Sequence, residues 1–120
     1  MNDQETLLTL VTESTSDYIQ RANRLYNLNL TTPNIVLVDK GTFAGKAYSK
    51  LWEIKYNIRL LKNNVSEFIL NTVPHEVAHL VENKLYGKVT HRKNWKQIMN
   101  DFGVEKPMSY HTYDIKDCKR

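Results

Sequence analysis

Thr72-Val73-Pro74-His75-Glu76-Val77-Ala78-His79-Leu80-Val81-Glu82 is the stretch on which the rest of the chain turns. Read as a helix, it sets His75 and His79 one turn apart on one face, close enough to hold one metal ion. Glu76 lies about 100° round the helix from His75, because a turn holds 3.6 residues. From there its carboxylate reaches a water in an open coordination position without being a ligand itself. Histidines also occur by chance at this spacing on solvated helices. Here Val77, Ala78, Leu80 and Val81 predict a largely buried helix. Two imidazoles and a carboxylate are costly there unless paired or bound to a metal.

H-E-x-x-H is the motif of zinc hydrolases. Zinc takes neutral imidazole nitrogens, and a catalytic site keeps one of its four positions open. The cofactor expected is therefore one zinc ion (Zn2+), and Glu76 is the expected general base. A third ligand is needed. The candidates are His91, His111 or a carboxylate, with Glu105 the one glutamate suitably placed on a later segment. The position six residues after His79 is Leu85, which excludes the ligand spacing of one large group of such proteins. The reading favours His91, twelve residues beyond His79 and just past the helix stop at Gly87.

The 120 residues suggest one domain, residues 1–120. With 41% hydrophobic and 25% charged residues, the composition is that of an ordinary globular protein. No apolar run approaches 18 residues, and the acidic N-terminus Met1-Asn-Asp-Gln-Glu lacks the basic and apolar regions of a signal peptide. A single cysteine, Cys118, excludes an internal disulfide and fits a reducing, cytoplasmic compartment. Cys118 is expected in a tail without fixed structure.

Net charge is +4, unevenly spread. Lys40, Lys46, Lys50, Lys55, Arg59 and Lys62 precede the metal helix, and Lys84, Lys88, Arg92, Lys93 and Lys96 overlap its end and follow it. Either segment alone reads as solvated surface; together they point to a polyanion, with single-stranded DNA favoured. The residues expected to touch it are Lys46, Lys50, Lys55, Arg59, Lys88, Arg92, Lys93 and Lys96.

The periodicities predict an α+β fold. Residues 4–26 form a helix with Leu7, Leu8, Val11, Ser14, Tyr18 and Leu25 along its apolar stripe. Ile35–Val38 is a strand, a second lies near residues 46–50, and alternation from Trp52 to Leu60 predicts a third. The three are expected as a small antiparallel sheet. Asn64 with Glu67 resembles a capping pair. Pro74 predicts either a bend or a new helix with Thr72 as N-cap. Helix then covers residues 75–86 up to Gly87, and a short amphipathic helix runs from Trp95 to Phe102. Trp95 is expected to anchor that helix and thereby position His91.

Pro74-His-Glu-Val-Ala-His, Gly87, then His91 four residues before Trp95 resembles the SprT family, which includes the eukaryotic Spartan proteases. Gly45-Lys46-Ala47-Tyr48 with Tyr56-Asn57-Ile58-Arg59-Leu60 is similar to the family's hairpin, and Tyr110-His111-Thr112-Tyr113-Asp114 to its tail segment. The resemblance covers about residues 5–115. It implies a zincin-like minimal core with zinc on His75, His79 and His91, Glu76 as general base, and a DNA-associated zinc endopeptidase activity on protein substrates. Many family members continue into a cysteine-rich zinc ribbon, so the expectation here is a bare core, monomeric and not membrane-bound. His111, Tyr110 and Tyr113 are candidate donors to a transition-state oxyanion, with a structural role for His111 favoured. The alternative function is a zinc-containing nucleic acid-binding module with little or no proteolysis; a zinc-stabilised adaptor is a third.

Overall fold

In a computed structural model, residues 3–118 are described. Helix α1 (Asp3–Tyr26) leads to strand β1 (Asn34–Val38), then to a hairpin of β2 (Gly45–Tyr48) and β3 (Glu53–Asn57). Helices α2 (Ile58–Asn63) and α3 (Val65–Glu67) and a π-helical turn (Phe68–Thr72) run into α4 (Val73–Tyr86). Helix α5 (Lys93–Asp101) and a 3-10 turn (Lys116–Cys118) complete the α+β fold.

The buried stripe of α1 is Val11, Ser14, Thr15, Tyr18, Ile19 and Ala22, an i, i+3, i+4, i+7 set that packs on α4 and α2. Leu8 and Leu25, expected on that stripe, are 38% and 50% exposed; they lie beyond the two ends of its buried run. Thr15 reaches across the core to share a 2.9 Å hydrogen bond with the Tyr56 hydroxyl, which satisfies both buried groups.

The sheet is mixed, with order β1-β3-β2, and this corrects the antiparallel expectation. β2 and β3 pair antiparallel, with Lys46 opposite Lys55 and Ala47 opposite Ile54. β1 pairs parallel to β3, Ile35 opposite Ile54 and Leu37 opposite Tyr56. Residues 39–52 carry the chain from β1 to β3, and about a dozen residues suffice for a parallel crossover. β2 is thereby left as an edge strand and lies against α4.

β3 also ends earlier than the alternation through Leu60 predicted. Asn57, on the face of that alternation opposite Ile54 and Tyr56, is fully buried and starts α2 as its N-cap. Its side-chain oxygen accepts from the Arg59 N–H at 3.0 Å and the Leu60 N–H at 3.4 Å. Its amide nitrogen donates to the Gly41 carbonyl at 3.0 Å, tying β3 to the loop before β2. Asn64 makes no side-chain cap at the start of α3; its side chain reaches back to the Leu60 carbonyl at 2.9 Å. Cys118, expected in an unstructured tail, is 5% exposed, with its sulfur 4.0 Å from the Asn57 amide nitrogen.

A new α-helix does start at Val73, with Thr72 in the N-cap position and Pro74 in its first turn, but the Thr72 side chain makes no cap bond. The preceding turn widens instead, with the Val73 N–H donating to the Phe68 carbonyl. A π turn just ahead of Pro74 accommodates a residue that lacks an N–H. Beyond it, Val73, Pro74, Val77, Ala78, Leu80 and Val81 are all buried, since α1, β2 and α5 enclose α4. Gly87 ends the helix in the left-handed region at φ 71°, its N–H donating to the Asn83 carbonyl at 2.8 Å.

Candidate metal centre

α4 delivers His75, Glu76 and His79, and the loop after Gly87 folds back to deliver His91. The three Nε2 atoms form a near-equilateral triangle. The His79–His75 distance is 3.2 Å; the His79–His91 and His91–His75 distances are both 3.1 Å. A tetrahedral zinc with bonds of about 2.0–2.1 Å holds its nitrogens roughly 3.3 Å apart, so the triangle is close to one face of such a site.

The protonation pattern points the same way. Burial, and then the neighbouring His91, lower the His75 pKa to about 4. Burial, and then His75 and His91, lower that of His79 to about 3. Burial also lowers that of His91, against a smaller opposite pull from Glu82. The rings are therefore neutral near pH 7. A backbone hydrogen bond with Met108 opposes part of the lowering at His75. In a neutral His79 with Nε2 turned to the cluster, Nδ1 carries the proton; that buried atom has no partner among the described residues. A single proton satisfies one of the three nitrogen pairs, whereas a divalent cation satisfies all three nitrogens at once. The residues fit a metal ion, and among the described residues these three histidines form the one cluster able to hold it.

Trp95 is the floor of the site. It is fully buried, with ring centroids 4.9 Å from His75, 5.8 Å from His79 and 4.9 Å from His91. Its indole N–H donates to the His75 carbonyl at 3.3 Å. Glu76 is 5% exposed, with Oε2 3.9 Å from the His75 Nε2. Burial raises its pKa to about 8. Gly45, which opens β2, lies directly against the Glu76 side chain. The sequence assigned Gly45 no part in the site, since a lone glycine before a strand signals only a loop or bulge.

A cleft of about 590 Å3 opens in front of the triangle. Its walls include β2, Glu76, the three histidines and the segment Met108–Tyr113. The His111 Nε2–H donates to the Thr42 carbonyl at 2.7 Å, and its Nδ1 accepts from the Tyr113 N–H at 3.1 Å. Both ring nitrogens are thus occupied. The Tyr113 hydroxyl shares a 2.9 Å hydrogen bond with Thr72. Tyr110 is 68% exposed on the rim. Glu105 is also exposed and lies outside the histidine cluster.

The basic residues named from the sequence are exposed, apart from half-buried Lys55. Lys46 lies on the Phe43 ring and Lys55 on the Tyr48 ring, at 4.5 and 5.3 Å from the centroids. Arg59 is ion-paired with Asp39. No helix among the described residues is long and apolar enough to cross a membrane.

Fold and site together define an α+β protein whose H-E-x-x-H helix and following loop bring three histidines into position to bind a metal ion. The chain belongs to the SprT-like family, whose model matches residues 15–115. Protein SprT of Proteus mirabilis is 34% identical over 112 residues, covering 92% of this chain and 67% of that protein. Protein SprT of Glaesserella parasuis is 37% identical over 98 residues, 81% of this chain and 63% of that protein. Protein SprT of Photorhabdus laumondii is 43% identical over 84 residues, 69% of this chain and 43% of that protein. The chain thus matches about two thirds or less of the length of these bacterial relatives. No solved structure matches it.

Proposed function

We propose that this chain is a zinc-dependent endopeptidase, built as one domain and acting on protein substrates. The observation that carries the reading is the triangle of three neutral Nε2 atoms with a buried carboxylate at its edge, facing a cleft of about 590 Å3. His75, His79 and His91 would hold the ion, and zinc bound there would supply Lewis acidity towards a carbonyl and a water. Glu76 would take a proton from the water and deliver it to the departing amine. Its surroundings suit both halves of the task. Burial favours its neutral acid form, and a dication beside it would favour the ionised form that accepts a proton. Trp95 and Met108 hold the imidazoles in the orientation the ion requires. Tyr110 is the candidate donor to the oxyanion: its hydroxyl has no hydrogen bond among the described residues, whereas His111 and Tyr113 are engaged with the protein. The test is cleavage of an unstructured protein such as casein. Activity that is lost to a chelator and restored by zinc supports the reading; cleavage unaffected by metal removal refutes it.

A second reading, nucleic-acid binding by a chain with little proteolysis, has one specific observation in its favour. Lys46 and Lys55 stand directly opposite one another on β2 and β3. Like charges so placed destabilise a sheet unless an anion lies between or near them. Both readings hold together if single-stranded DNA brings protein substrates to the cleft.

A further inference from the structure

His91 is the weak point of the triangle. His75 and His79 ride on a buried helix, but His91 is exposed and sits in a loop between α4 and α5. Something must order that loop before a metal ion arrives, or ion binding bears the whole cost of ordering it.

The loop is held by Glu82. This residue lies one turn beyond His79 on α4 and is 1% exposed. Its Oε1 accepts from the Thr90 N–H at 2.7 Å, and its Oε2 accepts from the Thr90 hydroxyl at 2.7 Å. The Thr90 hydroxyl in turn accepts from the Arg92 N–H at 3.0 Å. One buried carboxylate therefore fixes the residue before His91 directly and the residue after it through one hydroxyl. Among the described residues Glu82 has no ion-pair partner, so its charge lies uncompensated beneath the loop that presents His91 to a cation. Charge-assisted bonds to a carboxylate are short and strong, and both bonds here have that length.

We propose that Glu82 is a positioning residue for metal binding: with Thr90 as its relay, it presets the loop that carries the third histidine, and its charge favours a dication there. This rests on the three-histidine metal reading. The metal helix thus supplies two ligands and, a turn later, the strut for the third.

The test is zinc affinity, measured by competition with a chromophoric chelator, for wild type, Glu82→Ala, Glu82→Gln and Thr90→Val. Far-UV circular dichroism and the melting temperature of each metal-stripped protein are measured alongside. Thr90→Val is nearly isosteric at a half-buried position, so it stays folded even if Glu82→Ala does not. Loss of outer-shell partners weakens metal sites by about 10- to 100-fold. The expected result is a loss of that size in Thr90→Val and Glu82→Ala, with a smaller loss in Glu82→Gln, which keeps one acceptor. The cobalt-substituted variants should also show altered visible spectra as His91 disengages. Zinc affinity within twofold of wild type in folded Thr90→Val overturns the proposal, as does a fall confined to the melting temperature, which would make Glu82 a staple of the fold only. If wild type itself binds no zinc, the metal reading fails first and the proposal falls with it.

Discussion

Gly45 and Glu76 are packed so tightly that a Cβ on the glycine would lie 2.9 Å from the Glu76 Cγ and 3.0 Å from its Oε2. Real side chains do not approach that closely, so Gly45→Ala must displace the Glu76 side chain. Small displacements of a catalytic group are costly, about a hundredfold for a misplacement of 1 Å. We expect Gly45→Ala to lower kcat roughly tenfold or more while leaving zinc content at the wild-type level. Cleavage rates normalised to bound zinc check this; an unchanged rate would mean that Gly45 does not position Glu76.

Removing the metal should expose a characteristic pH dependence of stability. His75 and His79 fall from the ordinary 6.5 to about 4 and about 3 in the folded chain. The unfolded chain therefore binds more protons between those values, and stability is lost as pH falls from 6.5 towards 3. Glu76 rises from the ordinary 4.5 to about 8. The folded chain then holds the extra proton, and stability is lost as pH rises from 4.5 through 8. With two imidazoles outweighing one carboxyl on the acid side, metal-stripped protein should be most stable near pH 6.5. Urea titrations across pH 4–9 measure this, and Glu76→Gln should remove the alkaline fall and steepen the rise between pH 4.5 and 6.5.

Trp95 should matter to stability as much as to the metal. It is fully buried under all three imidazoles, and truncating such a residue costs about 3–5 kcal/mol. Trp95→Ala should therefore lower the denaturation midpoint sharply and release zinc faster. Trp95→Phe, which keeps an aromatic floor but loses the bond to the His75 carbonyl, should lie between it and wild type.

The cluster of three histidines was legible because its information is local. Spacing of four along a helix is a property of His75 and His79 themselves, and Gly87 marks the stop from which a loop can return His91. Information held between distant segments was not legible. Strand periodicity at Ile35–Val38 reveals which residues face the core, but not that β1 lies parallel to β3. Alternation past Asn57 fits a strand until one sees that Leu60 and Leu61 are both buried and that Asn57 caps a helix. Pro74 did announce an irregularity, and the π turn is how the chain absorbs it. Glu82 carries no signal in sequence: its partner Thr90 lies eight residues away, across a loop whose path depends on the tertiary fold.

The paired lysines offer a test of polyanion binding. If Lys46 and Lys55 hold phosphate, replacing both by alanine should weaken single-stranded DNA binding and lessen its salt dependence. The slope should fall by roughly 0.7 for each phosphate that is no longer neutralised. Fluorescence anisotropy at several salt concentrations measures both. Binding and slope unchanged in the double variant would place any DNA binding elsewhere on the surface.

Catalysis as proposed depends on Glu76 as the proton carrier beside a three-histidine metal. The most direct measurement is protein cleavage by wild type and Glu76→Gln at matched zinc content. Glutamine is nearly isosteric but cannot take a proton. The variant should therefore retain one zinc per chain and lose cleavage by at least about a hundredfold, a loss of the size general-base catalysis supplies. A zinc-loaded Glu76→Gln protein that cuts as fast as wild type would contradict that role.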